Sequence, residues 1–341
     1  MATKGKILVT GGAGYIGSHT VVSLAQAGFE PVIIDSLVNS TAEVITRLEK
    51  VLGGKVAFYE VDCVDEKALS EVIKQVGSVA GAIHFAAYKA VGESVQKPLM
   101  YYHNNLGSLI SLLRVMQANN IGNLVFSSSC TVYGLPDELP VTEQTACNTP
   151  TSPYGKTKQM CESVLFDQAL APGAVKTISL RYFNPVGAHE SCIIGELPLG
   201  VPNNLVPFIT QAVAGLRSEL TVFGNDYETP DGTCIRDYID ITDLAEAHVK
   251  ALDRLISGKG ETYEVFNIGT GTGISVLELI QEFENATGQK VPYKVGPRRA
   301  GDIAAVYANA TKAQEVLGWK AKRTVADSLA SAWKWQQSLG G

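Results

Sequence analysis

Long apolar runs are missing from this chain. No stretch of its 341 residues approaches the ~20 consecutive apolar residues that a membrane helix needs. A basic excess is missing too, since 28 lysines and arginines face 34 aspartates and glutamates, for a net charge of −6. A general nucleic-acid binder presents a basic surface, so that class is excluded. The six cysteines, Cys63, Cys130, Cys147, Cys161, Cys192 and Cys234, form no CxxC pair, and no Cys/His cluster has zinc spacing. No metal site is expected, and scattered thiols point to a reducing cytoplasm. Internal repeats and low-complexity tracts are lacking. A strand begins by residue 6, so no signal peptide is expected, and the sequons at Asn39, Asn285 and Asn309 are read as accidental.

What is present is a globular composition, 45% hydrophobic with a mean hydropathy of +0.09. Strand-like and helix-like segments alternate through the first half. KILVT (6–10), PVIID (31–35), KVAFYEV (55–61), VAGAIHFAA (79–87), GNLVFSSS (122–129) and KTISLRYF (176–183) read as strands. Residues 15–27, 65–76 and 98–119 read as helices, as does a segment from SPYGKTK to about 170. This alternation predicts an α/β fold, a doubly wound parallel sheet covered on both faces. After residue 184 the chain turns rich in Pro, Gly and Asn, with helices after 201 and 234, a strand at 263–269 and a helix at 275–287. The expected organisation is a nucleotide-binding domain at 1–183 and a smaller mixed α/β substrate domain at 184–341, with some crossing between them.

TGGAGYIG (10–17) places Gly11, Gly14 and Gly17 between a strand and a helix. Glycines there let backbone pass close to a pyrophosphate, and a helix opening at Tyr15 and Ile16 offers free amides and a positive dipole end. Asp35 ends the next strand, about 20 residues on, where a carboxylate binds ribose hydroxyls and repels a 2′-phosphate. That pattern predicts a Rossmann site for NAD rather than NADP. A second cluster, GTGTG (269–273), has no acidic residue at the matching distance and is read as a turn.

SPYGKTK (152–158) puts Tyr154 and Lys158 four residues apart, with Ser152 as N-cap and Pro153 at the first helical position. On a helix the two share a face. Taken alone, the favoured reading is a surface tyrosine and a solvated lysine on an amphipathic helix.

Together, TGxxGxxG and YxxxK resemble the extended short-chain dehydrogenase/reductase family. AAYKAVGES (86–94), FSSSCTVYG (126–134), LRYFNPVGAH (180–189), PNNLVP (202–207), FGNDY (223–227) and RDYI (236–239) further resemble its UDP-galactose 4-epimerases, over residues 7 to about 335. The resemblance implies interconversion of UDP-galactose and UDP-glucose on NAD that is held and recycled. It makes Tyr154 the base, Lys158 the group that tunes it and binds the nicotinamide ribose, and Ser129 the partner of the sugar 4-oxygen. Cofactor contacts are implied at Asn39, Asp62, Phe85, Ala86, Lys89, Asn104, Ser127 and Tyr182. Arg236 and Arg299 become diphosphate clamps, Asn184, Asn204, Leu205 and Phe223 line the sugar and uridine pocket, and Asp302 meets the ribose. A homodimer through the helix after Asn104 and the YxxxK helix is also implied.

Four positions depart from that resemblance. Cys130 replaces the usual alanine, Asp240 and Ile241 stand in RDYIDITD where RDYIHVxD is usual, and Val306 occupies a position filled elsewhere by tyrosine or by a small residue. That last position gates a 2-acetamido group. The Asp–Glu pair of the 4,6-dehydratase branch is absent after Ser129, as Cys130, Thr131 and Val132 follow. The alternatives on the same scaffold are a UDP-N-acetylhexosamine or UDP-uronic-acid epimerase, and outside catalysis an NAD-binding sensor.

Overall fold

The computed structural model describes residues 3–299 and 301–340. The chain runs β1 (Lys6–Thr10), α1 (Tyr15–Gln26), β2 (Glu30–Asp35), α2 (Glu43–Leu52), β3 (Ala57–Glu60), α3 (Glu66–Val76) and β4 (Gly81–His84). It continues through α4 (Val91–Gln96), α5 (Pro98–Ala118), β5 (Asn123–Ser127), a 3-10 turn (Cys130–Tyr133), α6 (Pro153–Ala169) and β6 (Lys176–Tyr182). The second half holds β7 (Asn184–Val186), α7 (Leu205–Val213), β8 (Leu220–Phe223), β9 (Ile235–Asp240), α8 (Ile241–Ile256) and β10 (Tyr263–Ile268). It ends with β11 (Gly273–Ser275), α9 (Val276–Thr287), β12 (Tyr293–Gly296), β13 (Ala305–Val306) and α10 (Val325–Ser338).

Seven strands form one parallel sheet in the order β10-β6-β5-β4-β1-β2-β3. Successive strand residues face opposite sides, which sorts the core into two layers. Ile7, Val9 and Ile33 pack with α1, α2 and α8, whereas Leu8, Val32 and Ile34 pack with α3, α5 and α6. The strand order reverses between β1 and β4, and at such a switch a ligand crevice opens beyond the carboxyl ends of the strands.

The crossing between the two halves is specific. β10 and α8 come from the second half, yet β10 pairs with β6 (Phe266 opposite Leu180) and α8 covers the sheet beside α1. The remaining second-half elements gather around their own apolar cluster, built on Ile209, Val222, Tyr238, Leu279, Phe283 and Leu329. There β9 joins β11, β13 and β7, while β8 pairs with β12. β4 is shorter than its apolar run because the chain leaves the sheet at the crevice, though Phe85 N still donates to Thr10 O at 2.9 Å.

The GTGTG segment is a turn held by one carboxylate. Asp237, fully buried on β9, accepts from Thr270 N (2.9 Å), Thr270 Oγ1 (2.7 Å), Gly271 N (3.0 Å) and Ala308 N (3.2 Å). A Cβ on Gly269 would fall 2.5 Å from that carboxylate, which explains a glycine there. The turn joins β10 to β11, and three of its donors are taken by Asp237. Asp237→Ala strands four donors around one hole; we expect a loss of about 3–5 kcal/mol, read as a fall in the urea midpoint, with α6 and its neighbours unchanged by hydrogen exchange.

Candidate functional site

The glycine turn sits at the switch point. Gly11 has φ +71°, a conformation that excludes most side chains, and a Cβ there would lie 2.7 Å from Ala86 N. A Cβ on Gly17 would lie 2.3 Å from Gly11 O. The turn closes through Gly14 N donating to Gly11 O (3.1 Å), and Gly14 begins α1 with no side-chain cap over the first-turn amides. Asp35 reaches back to this turn. Its carboxylate accepts from Ala13 N (3.0 Å), Leu37 N (2.8 Å) and Ser40 Oγ (3.4 Å). Burial raises the Asp35 carboxyl while these three donors pull it down. A carboxylate beside a cradle that Cβ atoms would fill suits a dinucleotide with a free ribose 2′-hydroxyl, and so fits NAD.

Other expected cofactor residues lie along the same edge. Phe85 and Ala86 follow β4 half-buried, and Phe85 packs 4.7 Å from the His248 ring. Asn39 and Asp62 are exposed past β2 and β3, and Asp62 accepts from Val64 N at 3.0 Å. Lys89 is exposed and lies 3.6 Å from the Glu196 carboxylate. Asn104 donates to Asn105 Oδ1 (3.0 Å), and the buried Asn105 ties α5 to α6 by donating to Thr157 Oγ1 (2.9 Å).

The helix start reads as expected. Ser152 accepts from Gly155 N at 3.2 Å, Pro153 opens α6, and Tyr154 and Lys158 share its inward face. Both are buried rather than solvated. Lys158 Nζ donates to Ser127 O (2.7 Å) and stands 4.8 Å from the Phe126 ring centre. Ser127 Oγ and the Tyr182 hydroxyl are 2.7 Å apart. Ser129 caps the 3-10 turn, accepting from Thr131 N (3.2 Å) and Thr131 Oγ1 (3.0 Å).

The electrostatics qualify the expected tuning. Burial, followed by Tyr182, pushes the Tyr154 phenol well above its ordinary 10, and the nearby Ser129 hydroxyl pulls the other way. Burial lowers Lys158 to about 8, against the opposing pull of Cys161 and Glu162. Around neutral pH the chain by itself therefore holds a protonated phenol and an ammonium. The ammonium is aimed at Ser127 O, so a cationic nicotinamide ring is the further source of positive charge for the phenol. Cys130 is pushed up by burial to about 12, which keeps it a thiol beside Ser129.

The second half closes over this edge with paired charges. Arg236 donates to Ile235 O (2.8 Å) and Ile303 O (2.9 Å) and lies 3.7 Å from Asp302. Arg299 forms two bonds to the same carboxylate, 3.1 and 2.8 Å, and stands over the exposed Phe223 ring at 5.8 Å. Both arginines thus converge on Asp302. Asn204 donates to Glu196 (2.6 Å) just ahead of Leu205, the first residue of α7, and Asn184 begins β7 half-buried. Val306 is buried on β13 opposite Arg236, packed with Val132, Tyr133 and Phe183. Asp240 proves to be the N-cap of α8, accepting from Thr242 N (2.8 Å) and Ser328 Oγ (2.8 Å).

Sequence reading passed over several members. Ser40 signalled itself only by lying five residues past Asp35. Glu196 bridges Lys89 and Asn204 from an irregular loop with no periodicity. Glu162 was legible in principle, because 154, 158 and 162 form one helical stripe. Among the described residues no group of three or more metal-binding side chains occurs, and no helix is long and apolar enough to cross a membrane.

Comparison with known proteins places the geometry in context. The GDP-mannose 4,6 dehydratase family profile matches residues 8–331. The UDP-glucose 4-epimerase of Bacillus subtilis is 49% identical over 332 residues, 97% of each chain. That of Homo sapiens is 49% identical, covering 97% of this chain and 96% of its own. The crystal structure of UDP-glucose 4-epimerase from Bifidobacterium longum in complex with NAD+ and UDP superposes with a TM-score of 0.94 at 46% identity, over 98% of each chain.

Proposed function

The chain belongs to the UDP-glucose 4-epimerase family, and from that premise we propose that it interconverts UDP-galactose and UDP-glucose by inversion at C4. The observation that carries the reading is the convergence of Ser129, Tyr154 and Lys158 in one buried place at the end of β5, in the same sheet whose β1 leads into the glycine turn. Gly11, Gly14, Tyr15, Ile16, Gly17, Asp35, Asn39, Asp62, Phe85, Ala86, Lys89, Asn104, Ser127 and Tyr182 are the proposed cofactor residues. Bound NAD supplies the reversible oxidation at C4. The protein supplies the proton chemistry: the Tyr154 phenolate takes the proton from the 4-hydroxyl, and the phenol returns it after the sugar has presented its other face. Ser129 Oγ holds the 4-oxygen by a hydrogen bond. Lys158 keeps positive charge under the phenolate that forms, and its neighbours Phe126 and Tyr182 keep water out.

Substrate is held from the second half. Arg236 and Arg299 exchange Asp302 for the diphosphate, whose paired oxygens suit two guanidinium forks. Asp302 is then free for the ribose, and Asn184, Asn204, Leu205 and Phe223 line the sugar and uridine. A dehydratase reading, which the matching profile's description invites, needs further acids and bases next to Ser129. The buried turn Cys130–Tyr133 carries none. The six free thiols support a reducing cytoplasm as the place of the reaction.

The purified protein, with no NAD added, converts UDP-galactose to UDP-glucose, and Tyr154→Phe lowers kcat by roughly 10²–10⁴-fold while bound NAD persists. A Tyr154→Phe protein of undiminished rate would remove Tyr154 from the mechanism. An NAD-bound wild type inert on UDP-galactose redirects the reading to N-acetylated or uronic-acid sugars, then to a sensor.

Val306 supports a second substrate pair. Valine is smaller than tyrosine at this wall, and we propose that UDP-N-acetylglucosamine and its 4-epimer are also accepted. The expected result is measurable turnover by the wild type, raised by Val306→Gly and abolished by Val306→Tyr, with UDP-galactose turnover kept in both. Negligible wild-type turnover beside a fast Val306→Gly variant would reject the tolerance.

The assembly proposed is a homodimer through α5 and α6. Most apolar residues of 106–116 do not serve it: Leu109, Leu112, Leu113 and Met116 are buried against the sheet. The outward residues are Leu99 and Ile110, which lie eleven apart and so share one face of α5, with Met160 on α6. Light scattering should give twice the 36.4 kDa chain mass, and Ile110→Glu with Met160→Glu should halve it. A wild type that stays monomeric at micromolar concentration disposes of the dimer.

A further inference from the structure

One buried ion pair lies beneath the proposed catalytic residues and has no part in the mechanism above. Glu162, on α6, faces Arg181, on β6, and both side chains are only 8% exposed. Arg181 Nη2 donates to Glu162 Oε2 at 2.6 Å, and Nε donates to Oε1 and Oε2 at 3.0 and 3.2 Å. Ser128 Oγ donates to Glu162 Oε1 at 2.5 Å. Arg181 also lies 4.9 Å from the Tyr133 ring centre, and Tyr133 donates to Asn267 on β10 at 2.7 Å. The network therefore joins α6 to three adjacent strands.

Its connections are one residue away from the site at every point. Ser128 lies between Ser127, whose carbonyl accepts from Lys158, and Ser129. Arg181 precedes Tyr182, which bonds Ser127 Oγ. Glu162 follows Lys158 by one helical turn on the same face as Tyr154. A buried, paired carboxylate is a costly way to glue a helix to a sheet, because apolar packing of the same volume does it as well or better. An ion pair retained there needs another task. We propose that Glu162 is a positioning residue for the epimerisation site: it fixes Tyr154 and Lys158 on α6 against Ser129 and Tyr182, and its negative charge keeps the Lys158 ammonium protonated in a water-poor pocket. The proposal rests on the catalytic reading given above.

The groups facing Lys158 are few. From its own helix come Cys161 and Glu162, from β4 His84, from β5 the Ser127 carbonyl and the Phe126 ring, and from β6 the Arg181 guanidinium beyond Glu162. Burial holds His84 down at about 3, so it stays neutral in the working range. Burial holds Cys161 up at about 12, so it too is uncharged. Glu162 is thus the anionic neighbour of Lys158, and Arg181 partly balances it.

The sign of the effect follows. The folded Lys158 is lowered by burial from 10.5 to about 8, and its charge is lost as pH rises through that value. Removing the carboxylate lowers it further, so the alkaline fall in kcat must start at a lower pH. Two variants separate tuning from scaffolding. Glu162→Gln keeps the shape and leaves Arg181 beside a neutral amide. The double variant Glu162→Met with Arg181→Met removes both charges and leaves apolar packing, which restores folding where the single change costs stability. For both we expect thermal unfolding near the wild type in at least the double variant, unchanged bound NAD, and KM for UDP-galactose within about threefold. The kcat should fall roughly tenfold or more, with its alkaline limb moved down by about one pH unit in Glu162→Gln and by less in the double variant, which also removes the balancing guanidinium. A folded variant with wild-type kcat overturns the proposal. A folded variant whose kcat falls while the limb stays in place overturns the charge-keeping role and leaves Glu162 as scaffold alone.

Discussion

A phenol and an ammonium removed from water side by side is the constraint on which the rest of this site depends. Burial favours the neutral form of each, which raises Tyr154 and lowers Lys158. The drop of Lys158 from 10.5 to about 8 corresponds to roughly 3 kcal/mol against its charged form. The surroundings must hold that cost below the point where the charge is lost. They do so with one backbone carbonyl at 2.7 Å, an aromatic face, and a carboxylate one turn along the helix. The dryness that makes the charge expensive also makes it effective, because its field on the phenol is not screened by water. A phenolate in this setting is populated near neutral pH only when further positive charge is present, so its formation and cofactor occupancy are linked through electrostatics.

The sheet explains why these groups meet at all. In a parallel sheet every strand presents its carboxyl end to one edge, so Gly11, Asp35, Phe85, Ser127 and Tyr182 are neighbours though far apart in sequence. Helix α6 leans on that edge with its N-terminal turn, held by Ser152 and Pro153. The second half then completes the first: β10 extends the sheet, α8 covers one face, and β9 and β13 bring Arg236 and Val306 to the rim. The two halves are interleaved in the sheet, and the crevice lies where they meet.

Local signals in the sequence carried the first-half elements well. KILVT, the glycine turn, Asp35 and SPYGKTK each hold their chemistry within a few residues, and their periodicity is undisturbed. What was illegible depends on partners distant in sequence. That Asp237 occupies the GTGTG donors requires knowing that β9 crosses the turn after β10. That Asp302 serves two arginines requires folding 236 against 299. The apolar stripe of α5 could face either the sheet or a partner, and only its packing shows Leu109 and Leu113 inward and Ile110 outward. Asp240 carried no readable consequence because N-capping depends on where a helix begins, the least certain feature of any sequence reading.

The exposed cations at the rim of the crevice are held loosely. Arg299 is 56% exposed, and exposed pairs contribute about 0–1 kcal/mol, so its bond to Asp302 orders the guanidinium at little cost to undo. Lys89, 57% exposed against Glu196, is similar. The contrast is with Glu162–Arg181, where both partners are buried and separation would leave an uncompensated charge. The two kinds of pair divide along the rim of the crevice. Pairs that must hold while chemistry proceeds are dry and doubly bonded beneath α6. Pairs at the rim are wetter on their cationic side: Arg299 and Lys89 are more than half exposed, while Arg236 and Asp302 are only 16% and 14% exposed. Under the proposed reading, binding from that side exchanges one set of charge contacts for another of similar kind, so the sugar is held by its nucleotide end while its own ring is left free to turn over at C4.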